Sequence, residues 1–146
     1  MENEAVFETQ YIVFGLAKEE YALEIDNVQE IIKMASITRV PHTPVSVKGV
    51  INLRGNIVPV IDLREKLGLF AADFDEKTRI IVVARNEISV GMIVDQVSEV
   101  LRLKASDIEN PPERFGTGAG NSITGIGKHD SRLIIMLDID ALMELD

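Results

Sequence analysis

Few residues in this chain are of a type and spacing that could do chemistry. Asp138 and Asp140 flank Ile139 at the end of an apolar run. Alternate carboxylates on a strand share a face and suit a hard cation. An aspartate just past a strand also caps a helix, and the matching Asp62 is followed two residues on by Arg64 rather than a second acid. Capping therefore explains the pair better than metal binding. His42 follows Pro41, and His129 stands between Lys128 and Asp130 in an expected hairpin turn, so both read as solvated loop histidines. Gly116-Thr117-Gly118-Ala119-Gly120 invites a phosphate-loop reading. It follows no strand pattern, opens no helix pattern and lacks the third glycine of a dinucleotide loop, so a connector fits better. No His-Glu-x-x-His, Gly-x-Ser-x-Gly or Walker pattern occurs, and the sequence carries no cysteine. Disulfides, thiolate catalysis and cysteine-ligated zinc are excluded. The sequence assigns no catalytic or metal-ligating residue and no cofactor.

Arg54 is a different case. It stands in Leu53-Arg54-Gly55-Asn56, between two apolar runs, the second interrupted by Pro59. Gly55-Asn56 predicts a tight hairpin turn, because glycine adopts positive φ freely and asparagine tolerates it. Pro59 has no amide donor and predicts an edge or bulge in the following strand. A turn needs no arginine, and two readings stay open: a solvated tip, or a planar guanidinium that anchors a protein interface.

The elements that position these residues are mostly strands. The chain has 146 residues, 46% hydrophobic and 27% charged, enough for one compact domain or two small packed lobes. Its longest strictly apolar stretches, 80–84 and 133–137, are too short for a transmembrane helix, which needs ~20 residues. The net charge of −9, with 5% aromatics and no tryptophan, argues against nucleic-acid binding, which relies on a basic footprint and stacking rings.

The chain is written twice. A shift of 69 residues lays Ile12 on Ile81, Asp26 on Asp95, Val28 on Val97 and Glu30 on Glu99. A shift of 71 lays Pro41 on Pro112, and a shift of 76 lays Gly49 on Gly125 and 57–63 on 133–139. Under the last shift Arg54 meets Asp130, so the duplication keeps the hairpin without its charge. Each half predicts five strands, near 11–16, 21–25, 29–34, 48–53 and 57–61, then 79–84, 88–94, 99–103, 123–128 and 132–137. Five strands of that length suit a small barrel without open edges. The expected fold is mainly β: two pseudo-repeated five-stranded barrels, SH3-like or OB-like, with few short helices. The lobes are expected at 11–72 and 77–140, with the N-terminal strand and C-terminal segment open to sharing between them. Asp62 and Glu65 predict a capped helix through Leu67, stopped by Gly68, and 70–77 reads as the connector.

In 26–34, Val28, Ile31 and Ile32 are apolar, while Gln29, Glu30 and Lys33 are polar. Core packing accounts for most of these apolar residues. A half-exposed one between the lobes would instead join an apolar groove of the kind that receives a partner helix.

The runs 49–69 (GVINLRGNIVPVIDLREKLGL), 20–32 (EYALEIDNVQEII) and 37–44 (ITRVPHTP) closely resemble the CheW family of bacterial chemotaxis coupling proteins. VGMIVDQVSEVLRL (90–103) and SITGIG (122–127) fit it too, so the resemblance spans roughly residues 8–143 as one CheW-like domain across 1–146. It implies two five-stranded barrels around a shared apolar region, no catalysis and no cofactor. The implied partners are the cytoplasmic tip of methyl-accepting chemotaxis receptors and the regulatory domain of the histidine kinase CheA. Nucleic acid and direct membrane insertion are not implied. The implied location is the cytoplasm, with recruitment to membrane-associated receptor arrays. Matched by motif, Val28, Glu30, Gly49 and Arg54 are the implied coupling residues, and Ile31 and Val100 are candidates for a groove wall. Within the family, an adaptor of another sensory array or a separated CheV-type coupling module stays open. From another class, so does a small-molecule-binding or metal-dependent barrel enzyme, which a cluster around Asp138 and Asp140 would mark.

Overall fold

The computed structural model describes residues 7–111 and 122–145. The Gly116–Gly120 loop and Pro112 lie outside the described residues. Among the described residues, eleven strands run β1 (Glu8–Leu16), β2 (Glu19–Glu24), β3 (Val28–Lys33), β4 (Val47–Leu53), β5 (Asn56–Asp62), β6 (Arg79–Arg85), β7 (Ile88–Val94), β8 (Gln96–Lys104), β9 (Ile108–Glu109), β10 (Ile123–His129) and β11 (Arg132–Leu137). Short helices α1 (Leu63–Lys66) and α2 (Ile139–Leu142) each follow the last strand of a repeat. The strands form two sheets, ordered β8-β1-β2-β11-β10-β9 and β3-β6-β7-β5-β4.

These sheets do not divide the chain where the repeat does. The β1–β2 hairpin of the first half pairs with β8 and β11 of the second. The β6–β7 hairpin of the second half pairs with β3 and β5 of the first. Each hairpin has changed places with its counterpart, so the lobes expected at 11–72 and 77–140 describe the repeat units but not the sheets. Each sheet also curls shut. β8 continues through a 3₁₀ turn into β9, which pairs with β10 at the far edge. The chain beyond β3 reaches β4, where Thr38 and Val50 exchange backbone hydrogen bonds of 2.8 and 2.9 Å.

Period-2 side-chain alternation sorts the core. From β1, Tyr11 and Val13 enter the interior of one barrel, while Ile12, Phe14 and Leu16 enter a core shared by both. From β6, Ile80 and Val82 fill the other barrel, and Ile81 and Val83 face the shared core. Phe14 and Tyr21 stack there, with ring centroids 6.1 Å apart.

The hairpin turns differ from expectation by one residue. Leu53 pairs with Asn56, so Arg54 and Gly55 are the turn's two central residues, at φ 52° and 88°. The other three tight hairpins turn on Ala17-Lys18, Asn86-Glu87 and Asp130-Ser131, all at positive φ. Positive φ at both central positions matches the right-handed strand twist. His129 is accordingly the last residue of β10 rather than a turn residue. Pro59 lies in an interior strand, not at an edge. It faces Val50, whose backbone N–H and C=O are both engaged by Thr38, so no rung of the β4–β5 ladder needs a proline donor there.

Both helices are capped by the matching aspartates. Asp62 accepts from the Arg64 amide and Asp138 from the Asp140 amide, each at 3.0 Å. Glu65 does not turn back toward its cap; it forms an ion pair with Lys48. Asp140 meets Arg85 at 3.0 Å. Both carboxylates of the possible metal pair thus have structural partners. Among the described residues, no group of three or more His, Asp or Glu side chains is placed to hold a metal.

Candidate partner-binding site

β3 is the strand that organises the site. Its register slips between Val28 and Glu30, bulging Gln29 out of the ladder with β6. Val28 therefore faces Val83, and Ile31 faces Ile81, both on the shared-core side. Glu30 faces Val82, on the side that lines its own barrel. The bulge sends the coupling residues of one short strand to two different surfaces.

The first surface is the end of the β3–β7 barrel. Arg54, lifted to the hairpin tip by its positive φ, reaches Glu30 across 24 residues of sequence. Its Nη1 donates to Glu30 Oε1 at 3.1 Å, and its Nη2 donates to Oε2, a two-pronged guanidinium–carboxylate contact. Arg54 keeps 69% of its side chain exposed and Glu30 keeps 21%, so the pair presents the guanidinium outward. It borders a groove of about 400 Å³ whose lining includes Asn56, Ile57, Glu87 and Ser89. Ile57 offers a largely exposed aliphatic side chain there.

The second surface is the seam between the barrels. Ile31 shares a small groove with Val97, the repeat counterpart of Val28, together with Lys77, Arg79 and Gln96. The groove draws one wall from each sheet, β3 with β6 against β8. Val28 is half-buried and packs against the shared core. Val100 is half exposed on β8 opposite Ile12, outside the residues that line this groove.

Gly49 belongs to neither surface. It is buried at the β4 bulge with φ 145°, and a Cβ there would stand 2.7 Å from the Thr38 carbonyl carbon and 2.9 Å from Ile37 Cγ2. Its place is to let β4 approach Thr38 and shut the barrel. Gly125 repeats the arrangement, where a Cβ would meet Ile108 at 2.6 Å.

The second barrel carries a charged cluster that no motif in the sequence marks. Arg132, two residues beyond Asp130, donates to Glu99 at 2.6 Å and to Glu20 at 2.6 and 3.1 Å. Glu99 is the counterpart of Glu30, so the second barrel also ends in a glutamate–arginine clamp. The hydrogen bonds from Arg132 hold the Glu20 carboxyl below the usual carboxylate range, and the two carboxylates raise the Arg132 pKa. Leu133, matching Ile57, is likewise largely exposed beside it.

A separate ion pair ties the halves together. Arg64 of α1 donates to Asp95 at 2.8 and 2.6 Å, and the Ala17 amide donates to the same carboxylate at 2.9 Å. The Arg64 hydrogen bonds lower the Asp95 pKa and raise that of the guanidinium. Burial acts in the opposite direction on Asp62, raising its pKa despite the helix amides it caps.

Paired β-barrels with exchanged hairpins, a seam groove and clamped arginines at both ends define a two-barrel scaffold. A family model, the CheW-like domain, matches residues 10–146. The chain belongs to the CheW family of chemotaxis scaffold proteins. It is 42% identical to the chemotaxis protein CheW of Helicobacter pylori, over 99% of this chain and 86% of that one. It is 40% identical to the chemotaxis protein CheW of Bacillus subtilis, over 91% of this chain and 85% of that one. The crystal structure of the scaffolding protein TtCheW from Thermoanaerobacter tengcongensis superposes with a TM-score of 0.88 at 38% identity, covering 96% of this chain and 95% of that one. No helix among the described residues is long and apolar enough to cross a membrane.

Proposed function

We propose that this chain is a non-catalytic adaptor that couples the cytoplasmic tips of chemoreceptors to the regulatory domain of the histidine kinase CheA. It works in the cytoplasm, at membrane-associated receptor arrays. The observation that carries the reading is the division of β3: Val28 and Ile31 turn to the side of the seam between the barrels, while Glu30 holds Arg54 at the barrel end. A scaffold that joins two partners needs two distinct surfaces in fixed relation, and one bulged strand supplies both.

The seam groove between Ile31 and Val97 receives the apolar face of a receptor helix, and Val28 packs against the shared core on the same side of β3. Val100 extends the apolar surface on β8. The outward guanidinium of Arg54, steadied by Glu30 and flanked by Ile57, is the anchor for the kinase domain. Gly49 acts indirectly, by setting the backbone on which the hairpin stands. Each contact is expected to bury ~800 Å² per partner, with these few residues dominating affinity.

Reconstitution with a receptor signalling fragment and CheA tests the proposal. The wild-type chain should make kinase activity depend on the receptor. Val28→Ser should weaken receptor capture, and Arg54→Ala should weaken CheA capture, with both variants still folded. Full capture of both partners by both variants would remove these residues from the site. Failure of the wild-type chain to change kinase activity would overturn the adaptor reading.

A further inference from the structure

A third surface, with a lining distinct from that of both grooves, has the chemistry of a binding site. Between β3 and β4 the chain runs through Arg39, Val40, Pro41, His42, Thr43, Pro44 and Val45 before rejoining the sheet. Together with Phe74 of the connector it encloses an open groove of about 690 Å³, which shares no lining residue with the grooves at Arg54 and Ile31. Three apolar side chains face it while exposed to solvent: Val40, Val45 (77% exposed) and Phe74.

Its charge is opposite to that of the molecule. The chain carries a net −9, yet among the described residues this lining includes Arg39 and Lys48 and no carboxylate. Lys48 is neutralised by Glu65. Arg39 is exposed and makes no hydrogen bond or ion pair with another described residue. A guanidinium beside unburied aliphatic and aromatic side chains is the composition of an interface centre. The walls are also preset. Pro41 and Pro44 fix their own φ, Thr43 donates to the Val40 carbonyl at 3.2 Å, and the Val47 amide donates to the Pro44 carbonyl at 2.9 Å. Little ordering entropy then opposes binding.

We propose that this groove is a docking site for a short acidic segment of a partner protein, with carboxylates meeting Arg39 and apolar side chains packing on Val45 and Phe74. The inference stands apart from the adaptor reading, since it uses none of the same residues.

Fluorescence anisotropy of the full chain with three synthetic twelve-residue peptides tests it. The peptides alternate glutamate with leucine, lysine with leucine, and glutamate with serine. Only the glutamate–leucine peptide should bind saturably, and its amide-shift footprint should fall on residues 37–48 and Phe74. Arg39→Glu should weaken it about tenfold, and Arg39→Lys should restore part of that loss. Val45→Ser with Phe74→Ser should weaken it about fivefold without changing the circular dichroism spectrum. Preference for the lysine–leucine peptide, a footprint elsewhere, or no saturable binding would each overturn the proposal. So would equal affinity of wild type and Arg39→Glu.

Discussion

Arg132 holds Glu99 at 2.6 Å at the end of one barrel, across 33 residues of sequence. The Glu30–Arg54 pair closes the end of the other barrel in the same manner. The two glutamates are repeat counterparts; the two arginines are not, one standing in a turn and the other opening a strand. The same clamp is therefore built twice with its cation supplied from different backbone positions. Arg132 is additionally shared with Glu20, whereas Glu30 is Arg54's only carboxylate partner among the described residues.

That contrast predicts what Arg54→Ala does. An exposed pair contributes ~0–1 kcal/mol, so the urea unfolding midpoint should scarcely move. Binding to CheA should nevertheless fall, because the outward guanidinium is lost. A fall in stability of several kcal/mol would reassign Arg54 to holding the barrel together.

Gly49→Ala should behave in the opposite way. The added methyl collides with the Thr38 backbone at a φ that L-residues rarely adopt, and strain with overpacking should cost about 2–5 kcal/mol. Chemical denaturation measures this directly. A fully stable Gly49→Ala that still fails to couple would mean that Gly49 touches a partner itself.

The Arg64–Asp95 and Arg132–Glu20 pairs should shape stability in acid. Both carboxyls titrate lower in the folded state than in the unfolded chain. Their contribution is fully present above the unfolded carboxylate pKa of ~4 and is lost as pH falls through the lower folded values. Asp62, raised by burial, works the other way, its contribution fading as pH climbs from the unfolded pKa to the folded one. Urea unfolding from pH 2 to 7 should show a shallower acid limb for Asp95→Asn than for wild type. An unchanged limb would show that the pair is screened to irrelevance.

Separating the repeats should abolish folding. A fragment ending at residue 72 retains β3 and β5 but loses the β6–β7 hairpin that lies between them. The fragment is expected to show little dispersed amide signal alone and to recover it on mixing with residues 73–146. A well-folded isolated first half would contradict the exchanged topology.

Much of this architecture is legible in the sequence. Ten of the strands, the two aspartate caps and the paired repeats follow from period-2 patterning and self-similarity, because alternation fixes which residues are buried. Alternation does not say which strand lies alongside, and so the hairpin exchange is not legible. The bulge at Gln29 is equally silent, yet it decides that Val28 and Glu30 face different surfaces. Glycine chemistry placed the turn at Gly55-Asn56, but ladder register placed it one residue earlier, lifting Arg54 into reach of Glu30. Arg132 escapes a residue-by-residue repeat comparison because its charge sits two positions beyond Asp130. Searching for a cation within a few residues of that position would have found it.

The exchanged hairpins also bear on the order of events at the ribosome. The strands of the first half emerge early, but β3 and β5 wait for residues 79–94 before their sheet can form. The β1–β2 hairpin waits longer, for β8 and β11. One barrel lacks a strand until residue 94 has been made and the other until residue 137, and pairing over such sequence separations is intrinsically slow. A truncated translation product thus presents unpaired strand edges rather than a finished surface. Quality control can recognise such a fragment before it occupies a place that only a whole scaffold should fill.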